Sequence, residues 1–129
     1  MIVDASALLA ILLDEPEGAA FANAIAADPH PLMSAVNWLE AAIRVDGSGD
    51  LLAVQDFEAL VEASRIAVLP VTMAQAQEAR RAYARFGKGR HPASLNFGDC
   101  FAYALARERA EPLLFKGQDF SRTDITPAA

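Results

Sequence analysis

The sequence predicts an α/β fold, a short parallel sheet covered by helices on both faces. Two observations carry that expectation. Short runs that are apolar throughout (MIV, LMS, IAVLPV and PLLF) alternate with longer segments of helical periodicity. Strands buried on both faces read as continuous apolar runs, whereas half-exposed strands alternate. No repeat, low-complexity tract or linker interrupts the 129 residues, so positions 1–129 read as a single domain long enough to bury a core without crosslinks.

Residues 1–3 form a first strand rich in β-branched side chains, and Asp4 leads from it into an apolar helix over 6–13. Pro16 opens a second helical pattern, EGAAFANAIAA, with Phe21 and Ile25 at i,i+4 spacing. DPHP at 28–31 is a loop signal. LMS is the second strand, and Ser34 is placed to cap a helix over 35–45. DGSGD at 46–50 ends that helix, and residues 51–64 carry another with Leu52, Phe57, Leu60 and Val61 apolar. IAVLPV is a third strand ended by Pro70, followed by the long amphipathic helix TMAQAQEARRAYARF, which Gly87 stops. GKGRHPASLN is a loop. FGDCFAYALARER is the last helix, with Phe97, Phe101 and Leu105 on one face. PLLF is the fourth strand, and DITP is a candidate for one more.

The bulk composition excludes several classes. With 53% hydrophobic and 22% charged residues the chain is not disordered. One cysteine, Cys100, rules out an internal disulfide framework and suits a reducing cytoplasm. The most apolar run, from Ala5 to Leu13, has nine residues, against about 20 for a bilayer span. Asp4 before it and Asp14-Glu15 after it deny it the flanks of a signal peptide. A cytoplasmic protein with no membrane contact is expected.

In open α/β sheets, ligands bind beyond the carboxyl ends of the strands, which points to polar residues that follow a strand or begin a helix. Asp4 directly follows MIV, Asp99 lies in the first turn of its helix with Asn96 as its cap, and Asp119 comes four residues after LLF. Glu40 lies about two turns into the helix after LMS, beside Val36, Leu39 and Ile43, an apolar stripe expected to shield it from solvent. Each acid also has a purely structural explanation. Asp4 can cap a helix, Asp99 can complete a capping box, Glu40 can pair with Arg44 at i,i+4, and Asp119 can organise a turn. Gathered at one edge, however, four carboxylates repel and need a compensating charge. Hard divalent cations such as Mg²⁺ and Mn²⁺ supply it through oxygen ligands, and such a site can activate water toward a phosphodiester.

The strings MIVDASALLAILLDEPE, SAVNWLEAA, LNFGDCFAYALA and PLLFKGQDFSRTDI resemble, in order and spacing, the successive blocks of VapC-type PIN domains. The resemblance runs from residue 1 to about 125. It implies a PIN-like three-layer fold and an acidic metal-binding quartet, Asp4, Glu40, Asp99 and Asp119, with Mg²⁺ or Mn²⁺ as cofactor. Ser6 matches the family's small hydroxyl residue beside the first aspartate, where it orients that carboxylate or a bound water, or serves as a capping serine. Gln118 departs from the asparagine common before the final acid, with little consequence expected, and Asp124 reads as structural. The implied function is that of an endoribonuclease toxin of a VapBC toxin–antitoxin pair. In it, metal-activated water cleaves RNA to leave a 5′-phosphate and a 3′-hydroxyl. A cognate VapB-type antitoxin would hold it inactive, and it would form a homodimer.

The net charge of −6 sits awkwardly with RNA binding. The quartet accounts for four of those charges, so the remaining balance is only −2, and a bound cation would reverse the local sign. Arg80, Arg81, Arg85, Lys88 and Arg90, interleaved with Tyr83, Phe86 and His91, form a candidate phosphate-gripping rim. Of these, Arg85, Lys88 and Arg90 are the expected RNA contacts, with Lys116 beside Asp119 as another; a solvated helix end and loop is the plainer reading. His30 and His91 lack metal-ligand spacing, Cys100 reads as a small packed hydrophobe, and Trp38 as core or interface. The helix over 6–13 and EGAAFANAIAA carry more apolar surface than one core needs, a possible antitoxin or dimer face.

Three other readings stay open. A phosphoacceptor signalling domain also places an Asp at a strand end, but wants paired acids there, and the nearest acid to Asp4 is Asp14. A haloacid-dehalogenase-type phosphatase wants an Asp two residues after Asp4, where Ser6 stands. A catalytically inactive PIN-like binding module would not need four intact acids.

Overall fold

The computed structural model describes all 129 residues. In chain order the elements are β1 (Ile2–Val3), α1 (Ala5–Leu12), α2 (Gly18–Ala27), β2 (Leu32–Ser34), α3 (Ala35–Asp46), α4 (Leu51–Ala63), β3 (Ala67–Leu69), α5 (Met73–Phe86), α6 (Phe97–Arg109) and β4 (Leu113–Leu114). A 3₁₀ turn, Phe120–Arg122, follows. Most helix starts are written locally. Asp4, Ser34, Asp50, Thr72 and Asn96 each accept a hydrogen bond from a backbone N–H in the first turn of the helix they precede, which satisfies donors the helix itself leaves free. Only α2 begins without such a cap.

The sheet is parallel throughout, in the order β3-β2-β1-β4. The chain builds outward from β1 to β2 and β3, then crosses back to lay β4 against the other side of β1. The reversal places a topological switch point between β1 and β4, where open α/β sheets bind ligands. The expected DITP strand is reduced to an isolated parallel bridge, Leu113 with Pro127. The Leu113 N–H donates to the Thr126 carbonyl and the Ala128 N–H donates to the Leu113 carbonyl, both at 2.9 Å, so the residues flanking Pro127 make the bridge.

Alternating side chains divide the core. Val3, Met33 and Leu114 pack with Leu8, Phe21, Val45 and Phe57 under α1–α4, while Ile2 and Leu113 pack with Phe86, Leu95, Tyr103 and Leu105 under α5 and α6. Gly18 allows α1 and α2 to cross closely, since a Cβ there would lie 2.5 Å from the Ala10 carbonyl oxygen.

Three expectations about burial need correcting. The sheet is not covered on both faces at its edge, because Ala67 and Val68 of β3 are exposed. On α3 the expected inward stripe faces out. Leu39 and Ile43 are 52% and 61% exposed, and the helix buries Asn37, Ala41 and Val45 instead. The surplus apolar surface is also not on α1, whose Leu8 and Leu9 are buried, but on Leu39, Ile43, Leu51, Leu52, Met73 and Phe97. Trp38 packs against Phe57, ring centroids 5.5 Å apart, as part of the core margin. No helix is long and apolar enough to cross a membrane.

Candidate metal centre at the sheet switch point

Asp4 stands at the carboxyl end of the central strand β1. Its Oδ2 accepts from the Ser6 N–H at 3.0 Å and the Ser6 hydroxyl at 2.6 Å, and the Ser6 hydroxyl oxygen in turn accepts from the Lys116 N–H at 3.0 Å. Ser6 therefore ties the ends of β1 and β4 together. The capping role of Asp4 is real, yet it engages only one oxygen, and Oδ1 is buried with no hydrogen-bond partner.

Asp99 shows the same division of labour. Its backbone N–H donates to Asn96 Oδ1 at 2.9 Å, and its Oδ2 accepts from the Asn96 N–H at 3.0 Å, which completes the capping box. Oδ1 takes no part in the box. Glu40 reaches the site from the side. Asn37, fully buried on α3, donates through Nδ2 to the Gly98 carbonyl at 3.0 Å and to Glu40 Oε1 at 3.4 Å. Asp119 is exposed at the start of the 3₁₀ turn but makes no capping hydrogen bond, so it does not organise that turn.

Asp4, Ser6, Glu40, Asp99, Lys116 and Asp119 all line one open cleft of about 230 Å³. No three ligand side chains converge there as a ready-made coordination shell. The donor set is consistent with a hard divalent ion, which needs only one or two carboxylates beside water and substrate oxygens. The orphaned Asp4 Oδ1 is the second fitting observation, because a buried carboxylate oxygen without a partner is costly unless something pairs with it.

The electrostatics point the same way. Burial lifts the Asp99 carboxyl to about 7, with the charges of Asp4, Asp119 and Glu40 adding to the rise against the Asn96 hydrogen bond. Burial also raises Asp4, helped by Asp119 and opposed by Ser6. Glu40 is raised by burial and by Asp4, against Asn37 and Arg44. The folded protein thus holds protons here that the unfolded chain has released. Stability from Asp99 is full below its ordinary value of 3.8 and is lost as pH rises through about 7. In chelator, the thermal midpoint should fall by roughly 5–10 °C between about pH 5.5 and 8.5. Saturating Mn²⁺ should restore most of it by binding the folded state. A flat or rising profile in chelator would contradict this electrostatic picture.

Residues 1–125 match the family model of the PIN domain. The chain belongs to the PIN-domain family. Among its relatives, Ribonuclease VapC28 of Mycobacterium tuberculosis is 49% identical, with 99% of this chain and 97% of that one aligned. Ribonuclease VapC of Mycolicibacterium smegmatis is 44% identical, with 97% of each aligned. The fold also superposes on the crystal structure of M. tuberculosis VapC20, a sarcin-ricin loop cleaving toxin, at a TM-score of 0.78 and 17% identity. That match covers 97% of this chain and 95% of that one and shows the α/β PIN fold.

Within this PIN domain the basic residues singled out from sequence scatter. Lys116 lines the cleft, but its Nζ is held by Glu15 and, at 3.2 Å, by Glu17. Arg85 lies over the Phe86 ring at 4.6 Å and pairs with Asp124 at 3.5 Å. Asp124 also accepts from the Tyr103 hydroxyl and Arg107, a structural role. Lys88 borders a separate apolar cleft between α5 and α6, and Arg90 lies in the exposed loop. Cys100 is buried, which pushes its thiol up to about 11, far from a nucleophile's range.

Three residues in the PIN site escaped the sequence reading: Asn37, Gly98 and the cleft-lining Arg44. A polar residue one turn before Glu40 and a glycine directly before Asp99 were the available signals. Asn37→Ala should weaken Mn²⁺ binding by roughly 10–100-fold, the usual effect of removing a ligand's supporting partner. Calorimetric titration of the RNA-free protein measures this, and an unchanged affinity would show that Asn37 serves packing alone.

Proposed function

We propose that this PIN domain, residues 1–129 acting as one unit, is a Mg²⁺- or Mn²⁺-dependent endoribonuclease and the toxin of a VapBC-type pair. The observation that carries this reading is that Asp4, Glu40, Asp99 and Asp119 all line one cleft at the switch point. The buried, unpartnered Asp4 Oδ1 supports the same reading. The names of relatives aligned over nearly the whole chain support the RNA substrate.

Asp4, Glu40 and Asp99 would hold the ion, and Asp119, the most exposed of the four, would complete its shell directly or through water. The ion supplies a Lewis acid that activates water and offsets charge building on the phosphate. Ser6 holds Asp4 through Oδ2 and leaves the buried Oδ1 without a protein partner, and the capping box fixes Asp99. Lys116, once released from Glu15 and Glu17, would meet a substrate phosphate, and Lys88, Arg85 and Arg90 would contact RNA further from the cut. A VapB-type antitoxin, a cytoplasmic setting and a homodimer complete the proposal. The exposed Leu51 and Leu52 of α4 are apolar surface of the kind such contacts use.

Mapping the ends of the cut RNA tests the chemistry. Water attack predicts 5′-phosphate and 3′-hydroxyl ends. A 2′,3′-cyclic phosphate would mean that the neighbouring 2′-hydroxyl attacks, and would overturn the mechanism.

A further inference from the structure

A second groove, of about 270 Å³, adjoins the carboxylate cleft and shares Glu40 and Arg44 with it. Its walls are Val36, Leu39 and Ile43 from α3 and Phe97 from the start of α6. Phe97 is 73% exposed, and its ring is held edge-on against Phe101 at 5.0 Å. A large aromatic ring this exposed, with Phe101 against one side, leaves most of its surface open to a ligand.

Arg44 stands where the two spaces meet. Glu40 is one turn away on the same helix, yet no carboxylate lies within ion-pairing distance of the Arg44 guanidinium. The other cation lining the carboxylate cleft, Lys116, is engaged by Glu15 and Glu17. Arg44 is thus the free cation of the site, and its planar fork suits phosphate oxygens. Carboxylates, a guanidinium and an aromatic ring therefore border two adjoining spaces. A polynucleotide presents complementary groups: the phosphodiester to be cut, the next phosphate, and a base with an apolar face.

We propose that this groove is the subsite for the nucleotide flanking the scissile bond, with Arg44 gripping its phosphate and Phe97 stacking on its base. The inference rests on the ribonuclease reading and specifies the substrate further. Stacking on Phe97 needs a base with a free face, so the cut falls in an unpaired segment. The apolar walls read no hydrogen-bonding edge, so the groove adds affinity without choosing among bases.

The test uses the full chain carrying Asp99→Asn, which keeps RNA uncut, and a short unstructured RNA oligonucleotide in Mg²⁺ followed by fluorescence anisotropy over a salt series. Adding Arg44→Ala should weaken binding roughly tenfold and flatten the log–log salt slope by about 0.7, the value for one phosphate contact on a single strand. Adding Phe97→Ala should weaken binding by a similar factor with the slope unchanged. Both residues are exposed, so thermal midpoints should hold, and Phe97→Ala in the otherwise unsubstituted chain should leave Mn²⁺ affinity unchanged. Unchanged RNA binding in either variant overturns the subsite, as does an Arg44→Ala loss with no change of slope. If Phe97→Ala instead converts a dimer to monomer in sedimentation, a second copy covers the ring and the subsite is likewise overturned. Failure of the ribonuclease reading is separate: the unsubstituted chain would leave RNA intact in Mg²⁺ while the binding pattern persisted.

Discussion

Gly98→Ala should lower ribonuclease activity by about 100-fold while leaving the protein folded. A Cβ at this position would lie 2.3 Å from Glu40 Oε2 and 2.7 Å from both Oε1 and Cδ, well inside van der Waals contact. The Glu40 carboxylate would have to swing out of the cleft, or α6 would have to retreat and break the Asn37–Gly98 hydrogen bond of 3.0 Å. Either motion separates Glu40 from Asp99, and displacements near 1 Å at a catalytic centre are enough for a 100-fold loss. Stability should respond differently. The clashing atoms end a flexible side chain, and alanine is favoured over glycine in a helix by about 1 kcal/mol, which offsets much of the strain. Activity and Mn²⁺ affinity should therefore fall together while the thermal midpoint moves only a few degrees. Retained activity would mean that the close approach of Gly98 to Glu40 does not matter to the site.

Asp99→Asn should reduce cleavage by about 10³-fold, the equivalent of several kcal/mol of charge stabilisation lost with the ion's ligand. The same change should make the chelated protein more stable, by roughly 5 °C near pH 8. An asparagine oxygen can still accept from the Asn96 N–H, so the capping box survives, while a carboxyl that burial and three like-charged neighbours hold at about 7 is replaced by a neutral group. Active sites commonly store such strain. A drop in both activity and stability would show instead that Asp99 serves mainly the helix start.

Much of the fold was legible because it is locally encoded. Ser34 and Asn96 announce their helices through hydrogen bonds within three residues, and the short apolar strands read as a parallel sheet. Asp4 and Asp99 were legible as residues of the cleft because one directly follows a strand and the other opens a helix, and their structural roles occupy one oxygen and leave the other. Features set by distant partners were not legible. Lys116 meets Glu15 and Glu17 across about 100 positions of sequence, and nothing local forecasts that meeting. β3 shows the same apolar run as buried strands, and its exposure depends on how far the helices reach. On α3 the larger apolar residues suggested the wrong face. The inner face carries Asn37, Ala41 and Val45 because α6 comes close enough for a backbone carbonyl to need the Asn37 amide.

The most direct measurement is cleavage of total RNA by the purified chain free of any antitoxin, in Mg²⁺, in Mn²⁺ and in chelator, beside Asp99→Asn. Discrete cleavage that requires a divalent ion and disappears in the variant is the predicted result. Cleavage that persists in chelator, or that Asp99→Asn leaves unchanged, would contradict a metal-dependent nuclease centre built on these four carboxylates.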